Sequence, residues 1–92
     1  MPANKRSLSE PDVLPHLKYI EGLVGTGYCD ITLGRIENHP CVATAADEDQ
    51  QLAMLVRRKG ESLAQLLIRL DKAIEGAYEH QIFINEVYDG PT

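Results

Sequence analysis

The sequence has few cations for a protein that would hold nucleic acid along its length. Nine lysines and arginines stand against fourteen aspartates and glutamates, which gives a net charge of −5. Strong, nonspecific binding to duplex DNA requires a basic surface that neutralises phosphates, so this balance argues against it. Basic surfaces on other macromolecules are better suited as partners.

Long apolar runs are also missing. No stretch approaches the roughly 20 apolar residues that a helix needs to cross a bilayer, and the opening MPANKRSLSEPD lacks the apolar segment of a signal peptide. We therefore expect a cytoplasmic protein. The 92 residues, 43% hydrophobic and 25% charged, suit one folded domain over residues 1–92. Residues 1–9 are predicted to form a flexible N-terminus.

The sequence contains no recognisable motif for catalysis, metal binding or cofactor binding. Its two cysteines and three histidines show neither the close helical spacing nor the C-x-x-C pattern of a metal site. Glycine-rich phosphate loops and the G-x-S-x-G nucleophile motif are absent. Carboxylate pairs such as Asp71 with Glu75 are expected on solvated surfaces and not in a catalytic dyad. We predict a protein without enzyme activity, cofactor or metal.

Hydrophobic spacing predicts a helix near the N-terminus. Asp12 is a candidate N-cap, and the helix should reach about Val24. Gly25 and Gly27 are expected to end it, because either can adopt the left-handed conformation that closes a helix. The apolar stripe of this helix comprises Leu17, Ile20, Leu23 and Val24.

Alternation of apolar and polar residues from 28 to 46 predicts a β-hairpin. A turn centred on Asn38–His39 pairs Ile36 with Cys41. In that register Cys29 lies about 23 Å from Cys41, beyond the reach of a disulfide. Both thiols are therefore expected to be free.

The remaining sequence predicts a strand, a long helix and a final strand. Alternation covers Gln51–Arg58 and returns over Ile82–Asp89. Between these strands, Ser62 and Gln65 match the S-x-x-Q capping box of a helix start. The apolar stripe of this helix comprises Leu63, Leu66, Leu67, Leu70, Ile74, Ala77 and Tyr78. Its solvent face comprises Arg69, Lys72, Glu75 and Glu79.

The predicted element order, α-β-β-β-α-β, is that of a small α+β domain. About four strands should form an antiparallel or mixed sheet, and the long helix should cover its apolar face. The last strand lies either inside the sheet or at an edge, where its backbone would be open to a neighbouring chain. The pattern leaves that choice open.

Two short charged stretches are the candidate partner-binding surfaces. Asp47, Glu48 and Asp49, which we name the acidic turn, are the densest anionic residues. Arg57, Arg58 and Lys59, the basic corner, are the densest cationic ones.

The basic corner allows two interpretations. It precedes Gly60 and a helix start, where unpaired N–H groups and the helix dipole favour a phosphate or a carboxylate. Alternatively, it is a plain strand-to-helix turn in which Glu61 neutralises one of the cations. The sequence does not decide between them.

The stretch MLVRRKGESLAQLLIRLDKAIEGAYEHQIFINEV, preceded by GRIENHPCVATAADEDQQ, resembles small open reading frames of phages and other mobile elements. The overall size and sequence further resemble the phage-encoded anti-CRISPR proteins that inhibit the type I-F CRISPR surveillance complex. This resemblance covers most of the chain. It implies a stoichiometric binder without catalytic residues, which occupies Cas protein and guide-RNA surfaces and sterically blocks hybridisation of target DNA.

Two alternatives of other classes remain. One is a homodimeric phage or mobile-element accessory protein, joined through an exposed strand such as Ile82–Tyr88. The other is a binding module for a small molecule or for single-stranded nucleic acid.

Overall fold

The structure of the protein, a computed structural model, describes residues 17–27 and 29–88. The helices and strands in these ranges are α1 (Lys18–Thr26), β1 (Cys29–Ile36), β2 (His39–Asp47), β3 (Gln51–Val56), α2 (Leu63–His80) and β4 (Ile84–Asn85). This order confirms the α+β fold predicted from the sequence. The N-cap predicted at Asp12 and the flexible N-terminus predicted over residues 1–9 both fall outside the described residues.

The four strands form one mixed sheet in the order β1-β2-β3-β4. The first three are antiparallel neighbours, and β4 runs parallel to β3. The last strand therefore lies at an edge of the sheet, which answers the question that the pattern left open.

β4 is much shorter than the strand predicted over Ile82–Asp89, so that prediction was wrong in length. The backbone N–H of Ile82 donates to the carbonyl of Gly76 in the last part of α2. The N–H of Tyr88 donates to the side chain of Asn85. Because both contacts turn the chain, two residues remain to pair with β3. Position 89 lies outside the described residues.

The start of α2 confirms the predicted capping box. The Ser62 hydroxyl accepts from the N–H of Gln65 at 3.1 Å, and the Gln65 side chain accepts from the N–H of Ser62 at 2.8 Å. Leu63 and Tyr78, at the margins of the predicted apolar stripe, are 49% and 45% exposed. The buried stripe is narrower and comprises Leu66, Leu70, Ala73, Ile74 and Ala77.

α1 extends further than predicted. Gly25 lies inside the helix, and Gly27 is its left-handed C-cap, with φ of 78°. Leu23 is buried, but Val24 is 58% exposed. Placing Val24 in the apolar stripe was therefore wrong. None of the helices in the described ranges has the length and hydropathy to cross a membrane.

The β1–β2 hairpin turns one residue earlier than predicted. The turn is Glu37–Asn38, and Ile36 pairs with His39 instead of Cys41. The first turn residue has φ of 54°, which helps the loop to close within two residues. A register shift next to the turn gives β2 an extra residue beside Pro40, which has no N–H for the ladder.

The core lies between the two helices and one face of the sheet. A bulge in β3 opposite Ala45 interrupts the alternation, and both Leu52 and Ala53 enter the core. Cys29 and Cys41 pack against it as free thiols, as predicted. The buried cluster comprises Leu23, Ala43, Ala45, Leu52, Ala53, Leu55, Leu66, Leu70, Ala73, Ile74 and Ala77.

Candidate partner-binding surfaces

The acidic turn and the basic corner lie at opposite ends of the sheet. The acidic turn connects β2 to β3, and the basic corner follows the last residue of β3. β3 is six residues long, so the two surfaces are roughly 20 Å apart at about 3.3 Å per residue. The structure therefore does not join the six predicted residues into one site. A small patch on a partner contacts one surface or the other.

Asp47 organises the acidic turn. Its Oδ1 accepts from the N–H groups of Asp49 and Gln50 at 2.9 and 2.8 Å, and its Oδ2 accepts from the Tyr78 hydroxyl at 2.9 Å. These donors stabilise the ionised carboxylate and lower the pKa of Asp47, with the Asp49 N–H as the largest cause. Asp47 thus serves the turn itself.

Glu48 and Asp49 are the members of the acidic turn that remain open to a partner. Both are exposed, and their carboxylates form no hydrogen bond or ion pair with a described residue. Tyr78 fastens the turn to the end of α2. Partial burial, together with the hydrogen bond to Asp47 and the charge of that carboxylate, raises the pKa of Tyr78 to about 12.

Backbone hydrogen bonds hold the basic corner against the sheet. The N–H of Arg57 donates to the carbonyl of Cys41 at 3.0 Å. The N–H of Glu61 donates to the carbonyl of Arg58 at 3.0 Å, which closes a turn through Gly60. Gly60 has φ of 80°, a conformation that glycine adopts without steric cost.

Arg69, from α2, is the centre of an ion-pair network beside the basic corner. Its Nε donates to Glu61 at 2.8 Å, its Nη1 to Glu86 at 2.9 Å, and its Nη2 to the carbonyl of Val56 at 2.8 Å. The side chains of Arg69, Glu61 and Glu86 are 20%, 10% and 8% exposed. Placing Arg69 on the solvent face of the helix was therefore wrong. Glu86 follows α2 in the sequence, so the helical spacing within α2 gives no sign of its ion pair with Arg69.

The side chains of the basic corner form no ion pair with Glu61 in the described ranges. Its carboxylate pairs with Arg69, whose hydrogen bond is the largest cause of the lowered pKa of Glu61. It also accepts from the backbone N–H of Arg58 at 2.9 Å. The Arg58 guanidinium instead lies 3.6 Å from Glu86. The interpretation of the corner as a plain turn would pair Glu61 with a corner cation, whereas the ion pair of Glu61 is with Arg69 on α2.

Arg57 and Lys59 keep their charge uncompensated among the residues that the structure describes. The Nε of Arg57 donates to the carbonyl oxygen of Glu61 at 2.8 Å, which orients the guanidinium without neutralising it. Lys59 has no ion-pair partner in the described ranges. These two side chains are the open cations of the corner.

Asp71 is a buried carboxylate that the sequence pattern placed on a solvated surface. It is 5% exposed, and its Oδ1 accepts from the N–H of Ile20 at 2.8 Å. The first turn of α1 has unpaired N–H groups, and the capping position, Leu17, has no side-chain acceptor. Asp71 therefore caps α1 from α2. The earlier placement of Asp71 and Glu75 together on an exposed face was wrong for Asp71.

Residues 17–27 and 29–88 contain no group of three or more histidine, cysteine, aspartate or glutamate side chains placed to hold a metal ion.

Comparisons with known proteins returned no relative. No family model matches the chain, and no curated protein or solved structure matches it.

Proposed function

We propose that this protein is a phage anti-CRISPR inhibitor, which binds the type I-F guide-RNA surveillance complex stoichiometrically and sterically blocks hybridisation of target DNA. The resemblance of its sequence to that class supports the proposal. The net charge of −5 supports it as well, because the blocked surfaces are ones that bind nucleic acid. The protein acts by occupancy and performs no chemical step.

The acidic turn is the observation that carries the proposal. Surfaces that hold nucleic acid are rich in lysine and arginine, and an acidic surface complements them, which speeds the encounter and fixes its register. Glu48 and Asp49 present two uncompensated carboxylates for this contact.

The turn is also ordered before binding. Asp47 fixes its backbone through two N–H groups, and Tyr78 joins it to α2. A surface that is already ordered loses little conformational entropy on association, so more of the interaction energy appears as affinity. This favours tight, stoichiometric binding.

Binding and DNA competition test the proposal together. Purified type I-F surveillance complex is mixed with the protein and separated by size exclusion, and labelled target DNA is added to the isolated fraction. We expect co-elution and loss of DNA loading. When DNA is added first, we expect a weaker block, because the DNA already occupies the surface. A protein that neither co-elutes nor reduces DNA loading contradicts the proposal.

A homodimeric accessory or interaction protein is the second candidate. The exposed apolar side chains that follow α2 favour it, namely Ile82, Phe83, Ile84 and Tyr88, which are 56%, 47%, 37% and 63% exposed. Such residues at a sheet edge suit pairing with another copy. Light scattering separates the candidates, since a dimer without affinity for the surveillance complex supports the second and a monomer that binds the complex supports the first.

A further inference from the structure

We infer that the basic corner is a phosphate-binding site, in which Arg57, Lys59 and the backbone of the turn hold one phosphate group. The inference stands on the geometry of the corner and does not require the inhibitor proposal.

An open cleft of about 500 Å³ lies at the basic corner. Its lining residues are Pro40, Cys41, Arg57, Arg58, Lys59 and Gly60. Three of these are cations and none is acidic. The carboxylates of Glu61 and Glu86 are paired with Arg69, and Glu86 also lies 3.6 Å from the Arg58 guanidinium, so Arg57 and Lys59 are the cations of this cleft that have no ion-pair partner among the described residues.

Two backbone donors in the turn are also open. The N–H groups of Arg58 and Glu61 are bonded, but those of Lys59 and Gly60 form no hydrogen bond with a described residue. Successive N–H groups beside a left-handed residue form a concave site for an anion. The space beside Gly60 is empty to at least 4 Å, which leaves room for the ligand to approach.

A phosphate suits this arrangement because its oxygens accept several charge-assisted hydrogen bonds at once. The start of α2 is not the binding element, since Ser62 and Gln65 already satisfy each other's backbone donors. The net charge of −5 opposes long polyanions. The ligand is therefore a single phosphate group, supplied by a single-stranded nucleic acid or by a small phosphorylated molecule.

An NMR titration of the full chain labelled with ¹⁵N reads the site directly. Inorganic phosphate and a six-nucleotide oligouridylate are the two probes. We expect the amide signals of Lys59 and Gly60 to shift with both probes, with a Kd of about 1 mM for phosphate because exposed ion pairs are weak. Tighter binding of the oligonucleotide, with a salt slope of about −0.7 for one phosphate, identifies nucleic acid as the source. A response to phosphate alone identifies a small phosphorylated molecule.

Charge-matched variants test which lysine contributes to phosphate binding. Lys59→Gln and Lys18→Gln change the net charge equally, but Lys18 lies on α1, away from the corner. We expect Lys59→Gln to weaken phosphate binding about fivefold and Lys18→Gln to leave it unchanged. The double variant Arg57→Gln/Lys59→Gln should remove the shifts at the corner, with circular dichroism confirming that it folds.

Three results would overturn the inference. The first is the absence of shifts at Lys59 and Gly60 with either probe. The second is equal weakening by Lys59→Gln and Lys18→Gln. The third comes from a control titration with a hexa-aspartate peptide: shifts with this peptide and none with phosphate would assign the corner to an acidic protein partner.

Discussion

The acidic turn and the basic corner are both three-residue charged stretches at the ends of β3, but the groups that stabilise their charges are of different kinds. In the acidic turn, backbone N–H groups and a hydroxyl donate to Asp47, and none of the described cations forms an ion pair there. Beside the basic corner, Arg69 occupies the carboxylates of Glu61 and Glu86. A run of like charges therefore contains both structural and free members. Hydrogen bonds and ion pairs formed in the fold, from residues near and remote in the sequence, decide which members are free.

Removing Arg69 should produce the largest effect on stability. Arg69→Gln leaves Glu61 and Glu86, which are 10% and 8% exposed, without their central cation. We expect a loss of about 2 to 3 kcal/mol in the free energy of unfolding, measured with urea. The loss stays below that of a fully buried pair, because Arg69 retains 20% exposure. Lys72→Gln, an exposed cation on the same helix, is the control and should change stability by less than about 0.5 kcal/mol. Equal losses in the two variants would refute the network.

Arg69→Gln also tests whether Arg69 controls the charge of the basic corner. Without Arg69, the carboxylate of Glu61 becomes available to the basic corner, and that of Glu86, already 3.6 Å from the Arg58 guanidinium, loses its competing cation. Arg69→Gln should therefore weaken phosphate binding at the corner under conditions where the variant is folded. Unchanged phosphate binding would show that these carboxylates do not control the charge of the corner.

Asp47→Ala should have a smaller effect than Arg69→Gln. It removes the acceptor of the Asp49 and Gln50 N–H groups and of the Tyr78 hydroxyl, but these groups reach water at the surface. Urea denaturation should rank Asp47→Ala between Arg69→Gln and the wild type. Asp49→Ala is the matched control and should resemble the wild type. The organising role of Asp47 fails if both aspartate variants behave alike.

Acid should destabilise both regions. The pKa values of Asp47 and Glu61 lie below their ordinary values of 3.8 and 4.5. Their stabilising effect is complete above those ordinary values and is lost as the pH falls through the lowered ones. Urea denaturation between pH 6 and pH 3 should show a smaller acid-induced loss in Arg69→Gln than in the wild type, because Glu61 then titrates nearer its ordinary pKa. Identical pH profiles would contradict the coupling of Glu61 to Arg69.

The double reversal Glu48→Lys/Asp49→Lys should have the smallest effect on stability. Both side chains are exposed and unpaired among the described residues, so a change within about 0.5 kcal/mol is expected by urea denaturation. A large loss would mean that these residues support the fold and are not free for a partner.

Much of the fold was predictable because each element has its own period in the sequence. The order of helices and strands and the capping box of α2 follow from local spacing and are confirmed. The hairpin register was not predictable, since it depends on the positive φ of Glu37 and on a bulge beside Pro40. The length of β4 depends on the contact of Ile82 with Gly76, which spacing does not show.

The two candidate surfaces were predictable as charged stretches, but the sequence did not show which of their side chains are free to bind a partner. Asp47 was indistinguishable from its two neighbours until its hydrogen bonds were seen. Arg69 meets Glu86 across 17 positions, and Asp71 meets Ile20 across 51, so helical periodicity placed both on a wet face. The S-x-x-Q box was one usable signal in the sequence. It indicates that the start of α2 is capped by its own side chains and therefore has fewer free N–H donors for an anion.

DNA loading by the type I-F surveillance complex is the most direct test of the central claim, that the protein inhibits by binding through its acidic end. The wild type, Glu48→Lys/Asp49→Lys and the charge-matched Glu21→Lys/Glu75→Lys are compared after circular dichroism confirms that each folds. We expect the wild type and the control to block loading near equimolar amounts. The acidic-turn variant should require about tenfold more protein, equivalent to about 1.4 kcal/mol of lost binding. Normal DNA loading in the presence of saturating wild-type protein would contradict the account.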